Sequence, residues 1–282
     1  MRTTIAVGVD GRAPGRAALR WAMEHALATD ADVEVIYVVG SDLASIGSRD
    51  DDEVERDALK IVEADAAFAR GLAPSVTVTT RLMHGSPMRQ LITASKTVSM
   101  VVVGTHKTGF IRGRVFGSRS IVLAAGSRNP VVVIPESSGR HRRGVVVGVD
   151  DSLAGRAAVQ FGAAEAARTG EPLRLISAWR LPDADLEEFH RENDDRHAAE
   201  VRAMLDAEAD RVRAQFPTID VHCRVVRLPA AEALVDASTS AALVVLGNSG
   251  PISDGQGLLG SVAHDVLVNL AGPTVIVHAD TF

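Results

Sequence analysis

The sequence predicts an α/β protein made of two tandem doubly wound domains, each on a five-stranded parallel sheet. Three observations carry that expectation. Short valine-rich runs alternate with alanine-rich stretches of helical period along the whole chain, the pattern of buried parallel strands crossed over by helices. The pattern is laid down twice: Ile5-Ala-Val-Gly-Val-Asp10-Gly-Arg-Ala-Pro-Gly15-Arg-Ala-Ala returns 140 residues later as Val145-Val-Val-Gly-Val-Asp150-Asp-Ser-Leu-Ala-Gly155-Arg-Ala-Ala. In each copy a late apolar run opens into a glycine-rich segment that leads to a helix. These segments read VVVGTHKTGFIRGRVFGSR from Val101 and VVLGNSGPISDGQGLLGSV from Val244.

In the first copy, Thr4–Val9 is an apolar strand ending at Asp10. Pro14 stands where a helix begins, and Ala17, Ala18, Trp21, Ala22 and His25 fall on one helical face. Val33–Val39 is the second strand, and Asp50–Arg70 a long acidic helix with apolar positions near a 3.6 period. Ser75–Arg81 reads as the third strand, Gly85-Ser-Pro87 opens a helix through Ser95, and Ser99–Val103 is the fourth strand. After the glycine segment come a helix over Ser118–Ala125 and a fifth strand over Val131–Ile134. The second copy repeats this order, with strands near 145–149, 173–179, 219–226, 242–246 and 274–277 and a longer, more charged helix from about Leu186 to Gln215.

Gly104, Gly117-Ser118 and Pro130 return as Gly247, Gly260-Ser261 and Pro273, now 143 residues later, so the second copy has gained three residues in its middle. A repeat this long is a duplicated domain, not a solenoid. With 282 residues the chain divides into domains at 1–138 and 144–282, joined by the polar stretch Gly139-Arg-His-Arg-Arg143, read as a solvated linker. Hydrophobic residues make up 46% and aromatic residues 4%, so the core is aliphatic. The net charge of −6 carries no basic footprint and argues against nucleic-acid binding. A single cysteine, Cys223, excludes an internal disulfide framework. With no signal-peptide core and no membrane-length apolar run, the expectation is a cytoplasmic protein with no membrane partner.

In doubly wound sheets, ligands bind beyond the carboxyl ends of the strands, where the strand order reverses. Asp10 and Gly104, and again Asp150 and Gly247, follow strand ends. If strands one and four are neighbours, each pair shares one crevice. A carboxylate there could accept from a ribose hydroxyl, an adenine amine or a magnesium-bound water, or serve only as a turn or cap residue. A glycine segment leading into a helix start makes a phosphate cradle, because backbone amides approach an anion closely and the helix head is partly positive.

Other motifs fall away. Gly255-Gln-Gly257-Leu-Leu-Gly260 matches G-x-G-x-x-G, but it follows the fourth strand of its domain, not the first, so a dinucleotide fingerprint is rejected. There is no Walker P-loop and no G-x-S-x-G nucleophile elbow. His222-Cys223 and His264-Asp265 lack zinc spacing, His106 reads as a loop histidine, and His190 and His197 as one exposed helix face.

The arrangement resembles the universal stress protein family in its tandem form, whose ATP-binding members carry G-x-x-G, nine residues, then G-[ST]. Gly247-Asn-Ser-Gly250, Pro251 to Leu259 and Gly260-Ser261 fit every position; the first copy fits at Gly104, Gly117 and Ser118 but has Lys107 in place of the second glycine. The resemblance also takes in VGVD with its alanine-rich helix, Pro130 and Pro273, and the closing strands, and so covers nearly the whole chain. It implies a Rossmann-like fold that binds ATP or a related adenine nucleotide with Mg2+, as a nucleotide-dependent regulator of stress or growth physiology. Asp10 and Asp150 would line the pocket, and Val38 and Ala178 would offer their backbone to adenine. Gly104, Lys107, Gly247 and Gly250 would lie against ribose and phosphates, and Gly117, Ser118, Arg119, Gly260, Ser261 and Val262 would hold the outer phosphates. The cap role is an alternative for Ser118 and Ser261, compatible with phosphate binding.

Lys107 could block the ribose, reach the phosphates as a point charge, or mark a loop that no longer binds; weaker binding in the first copy is expected. No general base is assembled, so the chain is read as a binder and at most a slow ATPase. An interaction module that has lost one or both sites is the alternative. The closing strands Val131–Ile134 and Thr274–Val277 are expected sheet edges that pair the domains into a pseudo-dimer, with which a homodimer of the chain is compatible.

Overall fold

The computed structural model describes residues 2–40, 51–106, 118–136, 142–179, 187–250, 252–253 and 256–279. The chain forms two compact units, residues 1–138 with 250–259, and residues 139–249 with 260–280.

The first unit is built from β1 (Thr4–Val9), α1 (Ala13–Thr29), β2 (Asp32–Val39), α2 (Asp51–Leu72), β3 (Val78–His84), α3 (Pro87–Ala94), β4 (Met100–Thr105), α4 (Ser118–Gly126) and β5 (Val131–Pro135). Its strands lie in the order β3-β2-β1-β4-β5, each pair parallel. The chain therefore runs outward from β1 through β2 to β3, then returns past β1 to β4, and the switch point lies between β1 and β4. Helices α1 and α2 pack on one another, as do α3 and α4, which covers the two faces of the sheet.

The second unit has the same plan: β6 (Val145–Gly148), α5 (Leu153–Thr169), β7 (Leu173–Ala178), α6 (Glu187–Gln215), β8 (Val221–Val226), α7 (Ala230–Ser238), β9 (Leu243–Asn248), α8 (Ser261–Val268) and β12 (Thr274–His278). Its parallel order is β8-β7-β6-β9-β12. A two-stranded antiparallel hairpin, β10 (Ile252–Ser253) and β11 (Gln256–Gly257), interrupts the glycine-rich segment and was not foreseen from sequence.

The central strands are short because they are buried on both faces. Ile5, Ala6 and Val7 in β1, Val101 and Val102 in β4, and Val146, Val147, Val244 and Val245 in the second unit are at most 1% exposed. Fully burying such a side chain is worth about 1.5–3 kcal/mol, so packing under the flanking helices contributes to holding each strand. The core is aliphatic and poor in aromatic side chains, as composition leads one to expect. His25 faces inward, 5% exposed and stacked on Trp21 at 5.0 Å between ring centroids.

Two of the departures from expectation have physical reasons in the hydrogen bonding. The third strand begins at Val78, three residues late, because Val76 N–H donates to the Ala73 carbonyl in a turn after α2. The basic joint is also not simply solvated at its end. Arg142 donates from Nη1 to the Ser238 carbonyl at 2.9 Å and from Nη2 to the Ala271 carbonyl at 2.7 Å. It thereby ties the end of α7 to the segment that follows α8.

One contact recurs in both units. A Cβ placed on Gly104 would overlap the Pro14 carbonyl and stand 2.8 Å from Gly15 N. A Cβ on Gly247 would overlap the Ala154 carbonyl and stand 2.8 Å from Gly155 N. The end of the fourth strand of each sheet thus lies backbone to backbone against the first turn of the helix after its first strand. Because a carbonyl cannot rotate away as a side-chain tip can, Gly104→Ala or Gly247→Ala should cost about 3 kcal/mol, the upper end of overpacking penalties. In a domain of this size the melting temperature should fall by about 10 °C; thermal denaturation of each variant checks it.

Candidate functional site

At the mouth of the second unit, β6 and β9 pair in parallel, Val147 opposite Val245. Asp150 follows β6 and Gly247 lies one residue before the end of β9, so both stand at the carboxyl ends of neighbouring strands. Asp150 Oδ1 accepts from Ser152 N at 3.1 Å and from the Ser152 hydroxyl at 2.5 Å. The Ser152 hydroxyl in turn caps α5 by accepting from Gly155 N at 2.9 Å. A Cβ on Gly155 would run into Asp150 Oδ1, so this glycine gives the carboxylate its place. Carboxylate, cap and glycine contact form one chain of short links from Asp150 to Gly247. The turn role weighed for Asp150 is real, and the carboxylate remains exposed.

Helix α8 rises from Gly260, its N-cap, with φ −58° and ψ 149° and no side-chain cap hydrogen bond. Ser261 is therefore the first helical residue and not the cap, contrary to the simpler alternative considered for it. Ser261 and Val262 are exposed. The first amides of a helix have no intrahelical acceptor and carry its partial positive charge, so this head suits an anion. The Gly260 amide differs: it donates to Asn248 Oδ1 at 3.0 Å. Ala178 closes β7 opposite Val226 and is followed by Trp179, which takes the Arg227 guanidinium on its face at 5.5 Å and the His197 ring edge-on at 5.4 Å. Gly250 opens the segment that groups with the first unit.

The first unit brings together a matching but differently wired set. Asp10 Oδ1 accepts from Arg12 N at 3.2 Å, and the Arg12 guanidinium lies 3.9 Å from Oδ2, both side chains exposed. Helix α1 has Arg12 at its N-cap with no side-chain cap hydrogen bond, and starts instead on Pro14. Val38 pairs with Met83 near the end of β2, and Gly104 pairs with Ile134. Arg119 is exposed on α4, which begins at Ser118. Lys107 and Gly117 lie outside the described residues.

Behind this mouth sits a buried carboxylate that sequence reading did not single out. Asp65 on α2 is 1% exposed and accepts from Arg16 Nε at 3.4 Å, while its Oδ2 meets no hydrogen-bond partner among the described residues. Arg16 also lies over the Phe68 ring at 5.4 Å, tying α1 to α2. Burial pushes the Asp65 carboxyl above its ordinary value; the Arg16 guanidinium and the Gly11 amide pull it back, and Asp10 pushes it up again. Gly11 turns the chain here with φ +75°, and a Cβ on it would press on Ile61 at 2.9 Å. The second unit has Asp151 at the corresponding place, paired with Arg156 at 3.0 Å.

Among the described residues, no group of three or more His, Cys, Asp or Glu side chains stands ready for a metal ion, and no helix is long and apolar enough to cross a membrane.

The fold and these strand-end mouths define a tandem pair of doubly wound α/β domains, each with an aspartate and a glycine at its switch point. A profile of the Universal stress protein family matches residues 1–135 and again 141–278, and the chain belongs to that family. It is 30% identical over 284 residues to a universal stress protein of Mycolicibacterium smegmatis, covering 97% of this chain and 96% of the relative. It is 29% identical over 303 residues to a universal stress protein of Mycobacterium tuberculosis, covering 96% and 94%. Among solved structures, a universal stress protein from Archaeoglobus fulgidus shares the fold with a TM-score of 0.72 at 18% identity, over 98% of each chain.

Two outcomes are expected. Ser152→Ala removes the hydroxyl that both caps α5 and donates to Asp150 and should cost about 1 kcal/mol, measured by denaturant unfolding. Asp65 has a folded-state pKa above its unfolded value, so its contribution is fully present below the unfolded pKa and is lost as pH rises through the folded one. Wild type should therefore gain stability relative to Asp65→Asn as pH falls from about 7 toward about 4; parallel melting curves across that range check the sign.

Proposed function

We propose that the chain is a nucleotide-responsive universal stress protein that takes ATP, with Mg2+, at the second-unit mouth. The observation that carries this reading is the convergence of Asp150, Gly247 and the uncapped head of α8 at the carboxyl ends of two adjacent strands. Exposed Ser261 and Val262 supply amides, and Ser261 a hydroxyl, where phosphate oxygens would arrive. Asp150, held in place by Ser152 and Gly155, offers a carboxylate to a ribose hydroxyl. The backbone at Ala178 supplies hydrogen bonds to an adenine edge. A magnesium ion would arrive on the phosphates and keep most of its waters, since such ions need few protein ligands.

Occupancy, not turnover, is the signal in this reading. Binding at the head of α8 and beside α5 would favour the conformation in which both are fixed, and a stress or growth partner would read that state. The first unit, with Lys107 in its segment, would bind more weakly.

Freshly purified chain, denatured and analysed by anion-exchange chromatography, should yield about one ATP per chain, and calorimetry with Mg-ATP should find a matching site. Asp150→Ala should weaken binding by about 10–100-fold, as expected for one hydrogen bond to a charged group. Gly250→Lys should do likewise. A chain that carries no nucleotide and gives no binding heat would overturn the reading in favour of an interaction module.

A further inference from the structure

Asn248 is the last residue of β9 and is 3% exposed. It stands inside the sequence Gly247-Asn-Ser-Gly250, where the motif itself places no demand on its identity. Its side chain nevertheless reaches across the whole glycine-rich segment, twelve residues along the chain, so that Oδ1 accepts from Gly260 N at 3.0 Å. Its Nδ2 faces Nδ1 of His278 at 3.4 Å, and His278, the last residue of β12, is 1% exposed and in register with Asn248. The amide is thus held on both sides, with its oxygen on the helix head and its nitrogen on the closing strand.

We propose that Asn248 is the positioning residue of the phosphate-binding turn, and that the Gly260 amide belongs to this internal link and not to the ligand. The assignment rests on the nucleotide reading above and deepens it. A long loop has a wide choice of conformations, and fixing its two ends together removes most of that freedom before any ligand arrives. By taking the Gly260 amide, Asn248 sets where α8 begins and so where the Ser261 and Val262 amides point. Outer phosphate oxygens then meet donors that are already oriented. The first unit has Thr105 in register with Pro135 at the corresponding place.

The test uses the full chain. Asn248→Ala should weaken Mg-ATP binding by about tenfold in calorimetric titration, and the Gly260 amide should lose protection in hydrogen exchange. Because Asn248 is buried, the substitution will also lower the melting temperature, and Val275→Ala supplies the control. Val275 is fully buried in β12, away from the turn, so it should lower stability while leaving both affinity and Gly260 protection as in wild type. Asn248→Ser, with a shorter acceptor, should recover part of the affinity. Wild-type binding that Asn248→Ala leaves intact, or a loss that Val275→Ala reproduces, would overturn the positioning role alone. A wild-type chain that takes up no ATP would overturn the nucleotide reading and this role with it.

Discussion

Backbone-to-backbone packing between a strand end and a helix start is the constraint on which the rest of each unit depends. Gly104 meets Pro14 and Gly15, and Gly247 meets Ala154 and Gly155, at a distance only residues without a Cβ can reach. That approach draws the first helix over the switch point, brings the aspartate after the first strand beside the fourth, and opens a mouth where strands diverge. Site and fold are therefore not separable here. The glycine that would let a nucleotide come close is the same one that lets the helix come close.

On this shared frame the two units place charge differently. In the second, Asp150 is tied through Ser152 to Gly155 by bonds of 2.5 and 2.9 Å, a short relay that fixes the carboxylate without burying it. In the first, Asp10 has an exposed arginine for company, a pairing worth little in water. The stronger electrostatic feature lies behind it, where Asp65 is buried against Arg16 with one oxygen unpartnered among the described residues. Burial of this carboxylate outweighs the help of Arg16 and costs stability at neutral pH, while Arg16 and Arg20 stack on Phe68 along the same seam. One copy has stiffened its mouth while the other has placed strain behind it.

The duplicated plan was legible because strand burial and helix period are written in single residues: a run such as Val101-Val-Val103 admits few other readings. The strand-end aspartates and the paired glycines were legible for the same reason, since their spacing repeats. What escaped the sequence was anything settled by a side chain reaching far along the chain. Nothing local marks Asn248 as the partner of Gly260, or Arg142 as the clasp on Ser238 and Ala271. Ser261 looked equally able to cap α8 or begin it, and only the backbone angles at Gly260 decide. The late start of β3 is a similar case, because a turn and a strand both accept Val76 and Thr77. Lys107 and Gly117 lie outside the described residues, so the sequence remains their whole account.

The double duty of the first glycine changes how such a motif ages after duplication. Selection for a folded chain keeps Gly104 and Gly247 whether or not anything binds, as the overlap with Pro14 and Ala154 dictates. At the second glycine position the two copies already part, Lys107 against Gly250. In surveying duplicated chains of this architecture, the first glycine therefore counts folded domains, whether or not anything binds in them.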